Sequence, residues 1–451
     1  MKIENLNYFS YFCSMLINEN TWQFIRKHAN DDVRKLALQG SKEADVDLPM
    51  ALQQIAGRQT ARKKLPTWSA VEGIVYPPHL NMEQCSSEQT AHYKQQLVER
   101  LLTGGQEGTF TDQSGGGHKG TFIDLTGGFG VDFYFMSQGF KERIYVEQNA
   151  ELCDLVKHNL ALLNHPCAIH CLDTATFLST LEGQADVIYL DPARRNEHGG
   201  RTYGIEDCSP NVLELLPVLL KSARFIVIKL SPMLDWRKAV NDLKHVAEVH
   251  IVSVGNECKE LLLVLNHEQT ERPLITCVND ESTFRVVPIV GSRNTNSWNK
   301  QYQGLVRPVP STDTNLVLTS HEVQEGTSSA MNYLYEPNAS IMKAGCFAEV
   351  EQQYAAVRQL SANSHLFTSA VEIDDFPGRR FQILSISSMN KQELKSALQT
   401  IERANIAVRN FPLTVEQLRK KLKLKDGGDI YLFATTTSKS DHKLFICRKI
   451  G

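Results

Sequence analysis

Nothing in this 451-residue sequence approaches the roughly 20 consecutive apolar residues a membrane-spanning helix needs, so no membrane span is expected. The opening MKIENLNYFSYFCSMLINEN holds only a short apolar run. Glu4 flanks it and no small-residue cleavage site follows, which favours an amphipathic helix over a signal peptide and a cytoplasmic location. The ten cysteines include no CxxC pair, and the closest two, Cys167 and Cys171, have no obvious histidine partners. Reduced, buried thiols are expected rather than a zinc site or a disulfide framework. None of the 14 histidines falls in an HxxxH or HExxH arrangement, and no metal is expected. A nucleophile elbow and a phosphate-binding P-loop are also missing. The formal charge of −3 excludes a global basic field, so any contact with nucleic acid must come from a local patch.

What is present is a soluble-protein composition, 42% hydrophobic and 22% charged, in a chain long enough for two to four domains. Residues 1–95 read as a helical region, in which Trp22, Phe24, Ile25, Val33, Leu36 and Leu38 recur at helical intervals. GRQTARKKLPTW (57–68) could touch phosphate or be a solvated helix end stopped before Pro66. EQCSSEQTAHYKQQLVERLL (83–102) reads as a helix capped by Ser86 or Ser87, and the Gly-, Ser- and Thr-rich stretch 103–120 as a mobile surface loop. From 96 to 270 short apolar runs alternate with helical ones: TFIDL, RIYVE, AIHCL, VIYLD and FIVIKL, then EVHIVSV and LLLVL close enough to pair antiparallel. That is the pattern of an α/β fold with a parallel sheet. Residues 271–371 are mixed, with strands expected in STFRVVPIV and TNLVLT and a helix over 346–360. Residues 372–451 read strand, helix, strand, helix, strand, strand, and carry 15 Lys/Arg against 9 Asp/Glu, an excess of six.

The turn FIDLTGGFGVDF leads from a strand into a helix through Asp124, Thr126, Gly127, Gly128 and Gly130. Glycines let a backbone approach a ligand, although a purely structural turn would use them too. A nicotinamide site expects a third glycine where Phe133 stands. Asp124 would repel a pyrophosphate, whereas it can accept hydrogen bonds from the ammonium of S-adenosylmethionine. Glu147 ends the second strand, where a carboxylate can take both ribose hydroxyls. Asp173 follows the third, where one can accept from the adenine amino group. With Asp191, four acids stand at the ends of four successive strands, on the edge where α/β sheets bind ligands.

EQCSSEQTAHYK, DLTGGFGVDF, DPARRNEHGGR, YEPNASIMKAG (335–345) and VRNFPLTVEQLRKKLKL (408–424) together give the chain its likeness. It resembles the bacterial class I S-adenosylmethionine-dependent methyltransferases with a C-terminal THUMP-like domain, and more distantly the trimethylguanosine synthase type of RNA methyltransferase. The resemblance implies a Rossmann-like seven-stranded catalytic domain, a small ferredoxin-like segment and an RNA-binding-type terminal domain, which here would be RKKLKLK (419–425) and its surroundings. It leaves the substrate open.

Methyltransferases that act on base amines use an Asp/Asn-Pro-Pro-aromatic loop after the fourth strand. Here Asp191-Pro192 occupies that place, Ala193 replaces the second proline and Arg194 the aromatic. Asp191 and the Pro192 carbonyl can accept from the two amine N–H groups, while the guanidinium of Arg194 can stack on a base. Arg195, Arg201 and Tyr203 are candidate substrate-binding residues. The arginines could instead pin the loop by pairing with Glu197, Glu206 or Asp207. Lys229, ending the fifth strand, could face the site or be solvated, and His198 suits a solvent-facing turn. An RNA methyltransferase of an exocyclic base amine is the leading expectation, with no obligate protein partner. A small-molecule or protein methyltransferase and a non-catalytic S-adenosylmethionine-binding RNA-binding protein are the alternatives.

Overall fold

In the computed structural model, residues 17–40, 45–103, 118–194, 204–270, 272–288, 331–437 and 440–451 are described. Contacts divide the chain into two units, Met1–Val249 with Leu261–Glu271, and His250–Glu260 with Arg272–Gly451.

The first unit is built on β1 (His118–Asp124), β2 (Phe140–Glu147), β3 (Ala168–Cys171) and β4 (Ala185–Leu190). A two-residue ribbon follows, β5 (Ala193–Arg194) with β6 (Cys208–Ser209), then β7 (Ala223–Leu230) and the outer ends of the hairpin β8 (Val246–Val254) and β9 (Glu257–Leu265), whose middle, His250–Glu260, belongs to the second unit. All seven sheet strands anticipated from the apolar runs are present, most of them starting two to four residues earlier. β1 pairs in parallel with β2 and β4, β2 with β3, and β4 with β7, whereas β9 is antiparallel to β7. The order β3-β2-β1-β4-β7-β9-β8 reverses direction between β1 and β4. Loops leaving those two strands diverge, which opens a ligand crevice at their carboxyl ends. From Val187 onward β4 is buried, with Val187, Ile188 and Leu190 inaccessible, as suits a central strand covered on both faces.

The N-terminal helices start where short polar side chains satisfy free amides: Asn18 accepts from Thr21 N, Asp32 from Arg34 N and Lys35 N, and Asp47 from Met50 N. Phe24, Ile25 and Leu36 pack with Ala51, Ile55 and Val75. Leu38 departs from the expected helical pattern, being 88% exposed on the last turn of a seven-residue helix. The helix Leu48–Lys64 stops before Pro66, and its basic end is used locally: Arg62 donates to Asn30 Oδ1 at 2.6 Å and Lys64 Nζ to the carbonyls of Met82 and Glu83. Trp68 lies edge-on to Phe129 at 5.0 Å between centroids, so the N-terminal helices share a core with the glycine turn. The helix expected to begin at Ser86 or Ser87 runs Glu88–Thr103, with Ser87 Oγ accepting from Thr90 N at its start, and a separate short helix, His79–Gln84, precedes it.

In the second unit, β10 (Leu274–Asn279) and β11 (Ser282–Val286) pair antiparallel and follow β8, whose residues 250–254 lie in the same unit, in the strand order, two strands more than the expected seven. Asp280 accepts from Gly255 N in the β8–β9 turn. A second sheet contains β12 (Tyr333–Pro337), β13 (Arg358–Gln359), β14 (Phe367–Ser369), β15 (Gly378–Ser388), β16 (Asn405–Arg409), β17 (Ile430–Thr436) and β18 (His442–Ile450), in the order β13-β14-β12-β15-β18-β17-β16. The alternation strand, helix, strand, helix, strand, strand from β15 onward is as expected. The helix expected over 346–360 ends at Gln353, and Arg358–Gln359 pair with β14 instead. TNLVLT and the loop 104–117 lie outside the described residues.

Candidate active site

The sequence places the turn after β1 beside the end of β2, and side chains lock the two together. Gly128 and Gly130 adopt φ +52° and +81°, a region L side chains enter at a cost, so glycine is required at both. Gly127 meets a different constraint: a Cβ there would lie within 3.0 Å of three ring atoms of Tyr145. The Tyr145 hydroxyl donates to Gly128 O at 2.6 Å, which holds that ring under the turn.

Each expected cofactor acid is tied to main chain. Asp124, 1% exposed, accepts from Thr126 N at 2.9 Å. Glu147 accepts from Gly128 N at 3.0 Å through one oxygen and from Asn149 N at 2.9 Å through the other. Asp173 caps the helix Thr174–Thr180, accepting from Thr176 N at 3.0 Å and Thr176 Oγ1 at 2.5 Å. Those Thr176 hydrogen bonds hold its carboxyl below the usual range. Asp124 behaves oppositely. Burial pushes its carboxyl well above the ordinary 3.8, the Thr126 amide opposes this, and nearby Asp132, Asp191 and Glu147 add to it. A buried acid among other acids favours a cation as its partner.

Asp191 follows β4 directly. Its N–H donates to Thr126 Oγ1 at 2.6 Å, joining the loop after β4 to the glycine turn across the crevice. Its Oδ2 accepts from Lys229 Nζ at 2.6 Å. Lys229 is thus an ion-paired side chain only 12% exposed, not a solvated strand end. It also lies 3.5 Å from Asp132 Oδ2 and 3.3 Å from Ser86 Oγ. Asp132 in turn meets the fully buried Lys94 at 3.1 Å, Ser86 Oγ at 2.8 Å and the Tyr189 hydroxyl at 2.8 Å. Burial alone would raise the Asp132 carboxyl, but Lys94 and Lys229, with Tyr189 and Ser86, hold it below the usual range.

Pro192 is buried in the same loop, and Arg194 pairs through its backbone with Cys208 in the β5–β6 ribbon. Arg195, Arg201, Tyr203, Glu197 and His198 lie outside the described residues. Glu206, a suggested partner for the arginines, is held by Lys238 Nζ at 2.7 and 2.8 Å. The structure therefore brings Asp124, Thr126, Gly127, Gly128, Glu147 and Asp191 together around the end of β1.

The sequence offered Ser86 only as a helix cap and gave no role to Lys94 or Asp132. A signal existed for Lys94: it lies between Ala91 and Leu97, Val98 and Leu101 on the buried face of its helix, and a lysine there demands a buried partner. Among the described residues no group of three or more His, Cys, Asp or Glu could hold a metal, and no helix is long and apolar enough to cross a membrane.

Residues 378–449 match a family described as THUMP domain-like and residues 333–377 one described as a ferredoxin-like domain. No curated protein matches the chain. A solved structure from Porphyromonas gingivalis W83, provisionally assigned as a methyltransferase, is similar over 95% of this chain and 97% of its own, at 28% identity and TM-score 0.75. A provisionally assigned class I S-adenosylmethionine-dependent methyltransferase from Listeria monocytogenes aligns over 58% of this chain and 93% of its own, at 11% identity and TM-score 0.35. A provisionally assigned RNA methyltransferase from Pyrococcus horikoshii aligns over 45% and 95%, at 15% identity and TM-score 0.30. The chain thus has a methyltransferase-like α/β fold followed by ferredoxin-like and THUMP-like segments.

Proposed function

We propose that this protein transfers the methyl group of S-adenosylmethionine to RNA, at an exocyclic base amine held by Asp191 and the Pro192 carbonyl. The observation that carries the proposal is the 2.6 Å hydrogen bond from Asp191 N–H to Thr126 Oγ1, which couples the acceptor loop to the cofactor turn. In-line transfer asks chiefly that two groups be held against each other, and this bond supports that arrangement.

The residues fit the cofactor. Asp124 is buried and, among the described residues, has one amide donor, which leaves lone pairs for an ammonium. Glu147 spends one hydrogen bond per oxygen on main chain and retains capacity for ribose hydroxyls, and Asp173 stands ready for the adenine amino group. The cofactor supplies an electrophilic methyl on a sulfonium. The chain supplies the rest: Asp191 Oδ1 and the Pro192 carbonyl would accept from the amine N–H groups, orienting its lone pair. Arg194, Arg195, Arg201 and Tyr203 are proposed to hold the base and its phosphates.

RNA is supported by the THUMP-like match and by the terminal helix Val415–Leu422, from which Lys420 and Lys421 project, with Lys423 and Lys425 exposed just beyond. Arg419 is excluded from that set, because it pairs with Asp426 at 2.5 Å and donates to Ala404 O. The test compares modified nucleosides in RNA from cells with and without the gene, and restores the gene as wild type or Asp191→Ala. One methylated species should vanish and return only with wild type, while purified Asp191→Ala binds S-adenosylmethionine normally. An unchanged nucleoside profile would refute RNA as substrate, and failure of the wild-type protein to bind S-adenosylmethionine would refute the whole proposal.

A further inference from the structure

Four segments distant in sequence meet beneath Asp191. Ser86 comes from just before the helix Glu88–Thr103 and Lys94 from within it, Asp132 from the helix Val131–Met136, Tyr189 from β4 and Lys229 from β7. Lys94 is wholly buried and the Asp132 side chain is 11% exposed, whereas the Asp191 side chain is 37% exposed. Charge thus runs from a sealed pair, Lys94 with Asp132, through Lys229 to a carboxylate at the crevice. A buried pair of this kind is expensive to desolvate and contributes little net stability, so its presence below a reactive loop calls for another explanation.

The donor count of Lys229 supplies one. An ammonium has three N–H groups, and Lys229 faces three oxygens: Asp191 Oδ2, Asp132 Oδ2 and Ser86 Oγ. Hydrogen bonds to Asp191 and Ser86 and the 3.5 Å ion pair with Asp132 engage the ammonium without any substrate atom. Asp191 has its main-chain N–H fixed by Thr126 and its Oδ2 fixed by Lys229, so a single carboxyl orientation leaves Oδ1 to accept.

We propose that Lys229 is a positioning residue for the acceptor carboxylate, seated on Asp132, Lys94, Ser86 and Tyr189. It rests on the role given to Asp191 above. Lys229 holds Oδ2 so that Oδ1 meets the amine in one geometry, and the Lys94–Asp132 pair fixes where Lys229 can stand.

The test uses full-length Lys229→Met, Asp191→Ala and their double variant, with crystal structures, calorimetry with S-adenosylmethionine, and methyl transfer to RNA from cells lacking the gene. Removing Lys229 leaves Lys94 paired with Asp132, so the fold should survive. In the Lys229→Met structure the Asp191 main-chain bond to Thr126 remains and the carboxyl leaves its wild-type rotamer. S-adenosylmethionine Kd stays within about twofold. Displacement by about 1 Å lowers kcat roughly 100-fold with KM unchanged, and in the Asp191→Ala background the added Lys229→Met causes no further loss. An undisturbed Asp191 carboxyl in Lys229→Met, or a double variant whose loss is the product of the two single losses, overturns the proposal. Should Lys229→Met fail to fold, Lys229→Gln, which keeps amide donors for Asp132 and Ser86, takes its place with the same two criteria. Absence of transfer by the wild type would refute the proposed function, while the crystal structures still decide the positioning role.

Discussion

Gly127→Ala probes the packing of the glycine turn directly. The added methyl would stand inside the contact distance of three ring atoms of Tyr145, a residue with no exposed surface. The ring cannot simply swing aside, because its hydroxyl holds Gly128 O at 2.6 Å and its face packs edge-on against Phe133 at 5.5 Å. Forcing a methyl into a filled core costs about 1–3 kcal/mol, and losing the hydroxyl bond adds about 1 kcal/mol, so roughly 2–4 kcal/mol is expected. Urea unfolding followed by fluorescence reads this, since Trp68 packs on Phe129 of the same turn. S-adenosylmethionine affinity should fall at least tenfold alongside. Shrinking the ring supplies the control: in Gly127→Ala/Tyr145→Val the combined loss should be smaller than the sum of the single losses. Full additivity, or a Gly127→Ala protein with unchanged midpoint and unchanged affinity, would refute the steric argument.

Asp124→Asn should raise the ligand-free unfolding free energy at pH 7 by about 1 kcal/mol while weakening S-adenosylmethionine binding. The sign follows from its raised carboxyl: the stability it contributes is complete below the ordinary 3.8 and is lost as pH rises through the folded value, so the variant should flatten that fall in a pH series of urea melts. Asp173→Ser should keep the helix cap and the melting temperature yet weaken S-adenosylmethionine about tenfold by calorimetry, whereas Asp173→Ala should lower both. Equal affinity of Asp173→Ser and wild type would remove Asp173 from the cofactor set. Lys420→Glu with Lys421→Glu should raise the Kd for RNA about 10- to 100-fold at low salt and flatten the dependence of log Kd on log salt. Identical salt slopes would exclude this helix from the RNA contact.

Much of the fold was legible because its signals are local. The runs VIYLD and FIVIKL place successive apolar residues on both faces before their charged ends, so they read as strands of a parallel sheet and are. Asp124, Glu147 and Asp191 were found by their place at strand ends, since the parallel order delivers every such end to one edge. Less visible were features that depend on partners far along the chain. Lys229 read equally as a solvated end, because its counter-ions lie 38 and 97 residues away at Asp191 and Asp132. Lys94 carried no role, and Ser86 only that of a helix cap, without the fold that sets them against Asp132. The helix expected over 346–360 is present only as Phe347–Gln353 for a similar reason, since pairing of Arg358 and Gln359 with β14 outcompetes local propensity in its last part.

The tethering of the rim acids to main chain bears on turnover. Thr126 N, Gly128 N, Asn149 N and Thr176 N fix the three carboxylates before any ligand arrives, so the rim is preorganised and little conformational freedom is lost on binding. In the proposed role those acids meet the ammonium, the ribose hydroxyls and the adenine amine, groups that the spent cofactor retains in full once its methyl has gone. A rim of this kind holds product nearly as well as substrate. Removal of S-adenosylhomocysteine by a separate hydrolytic or cleaving enzyme would then set the pace of repeated transfer.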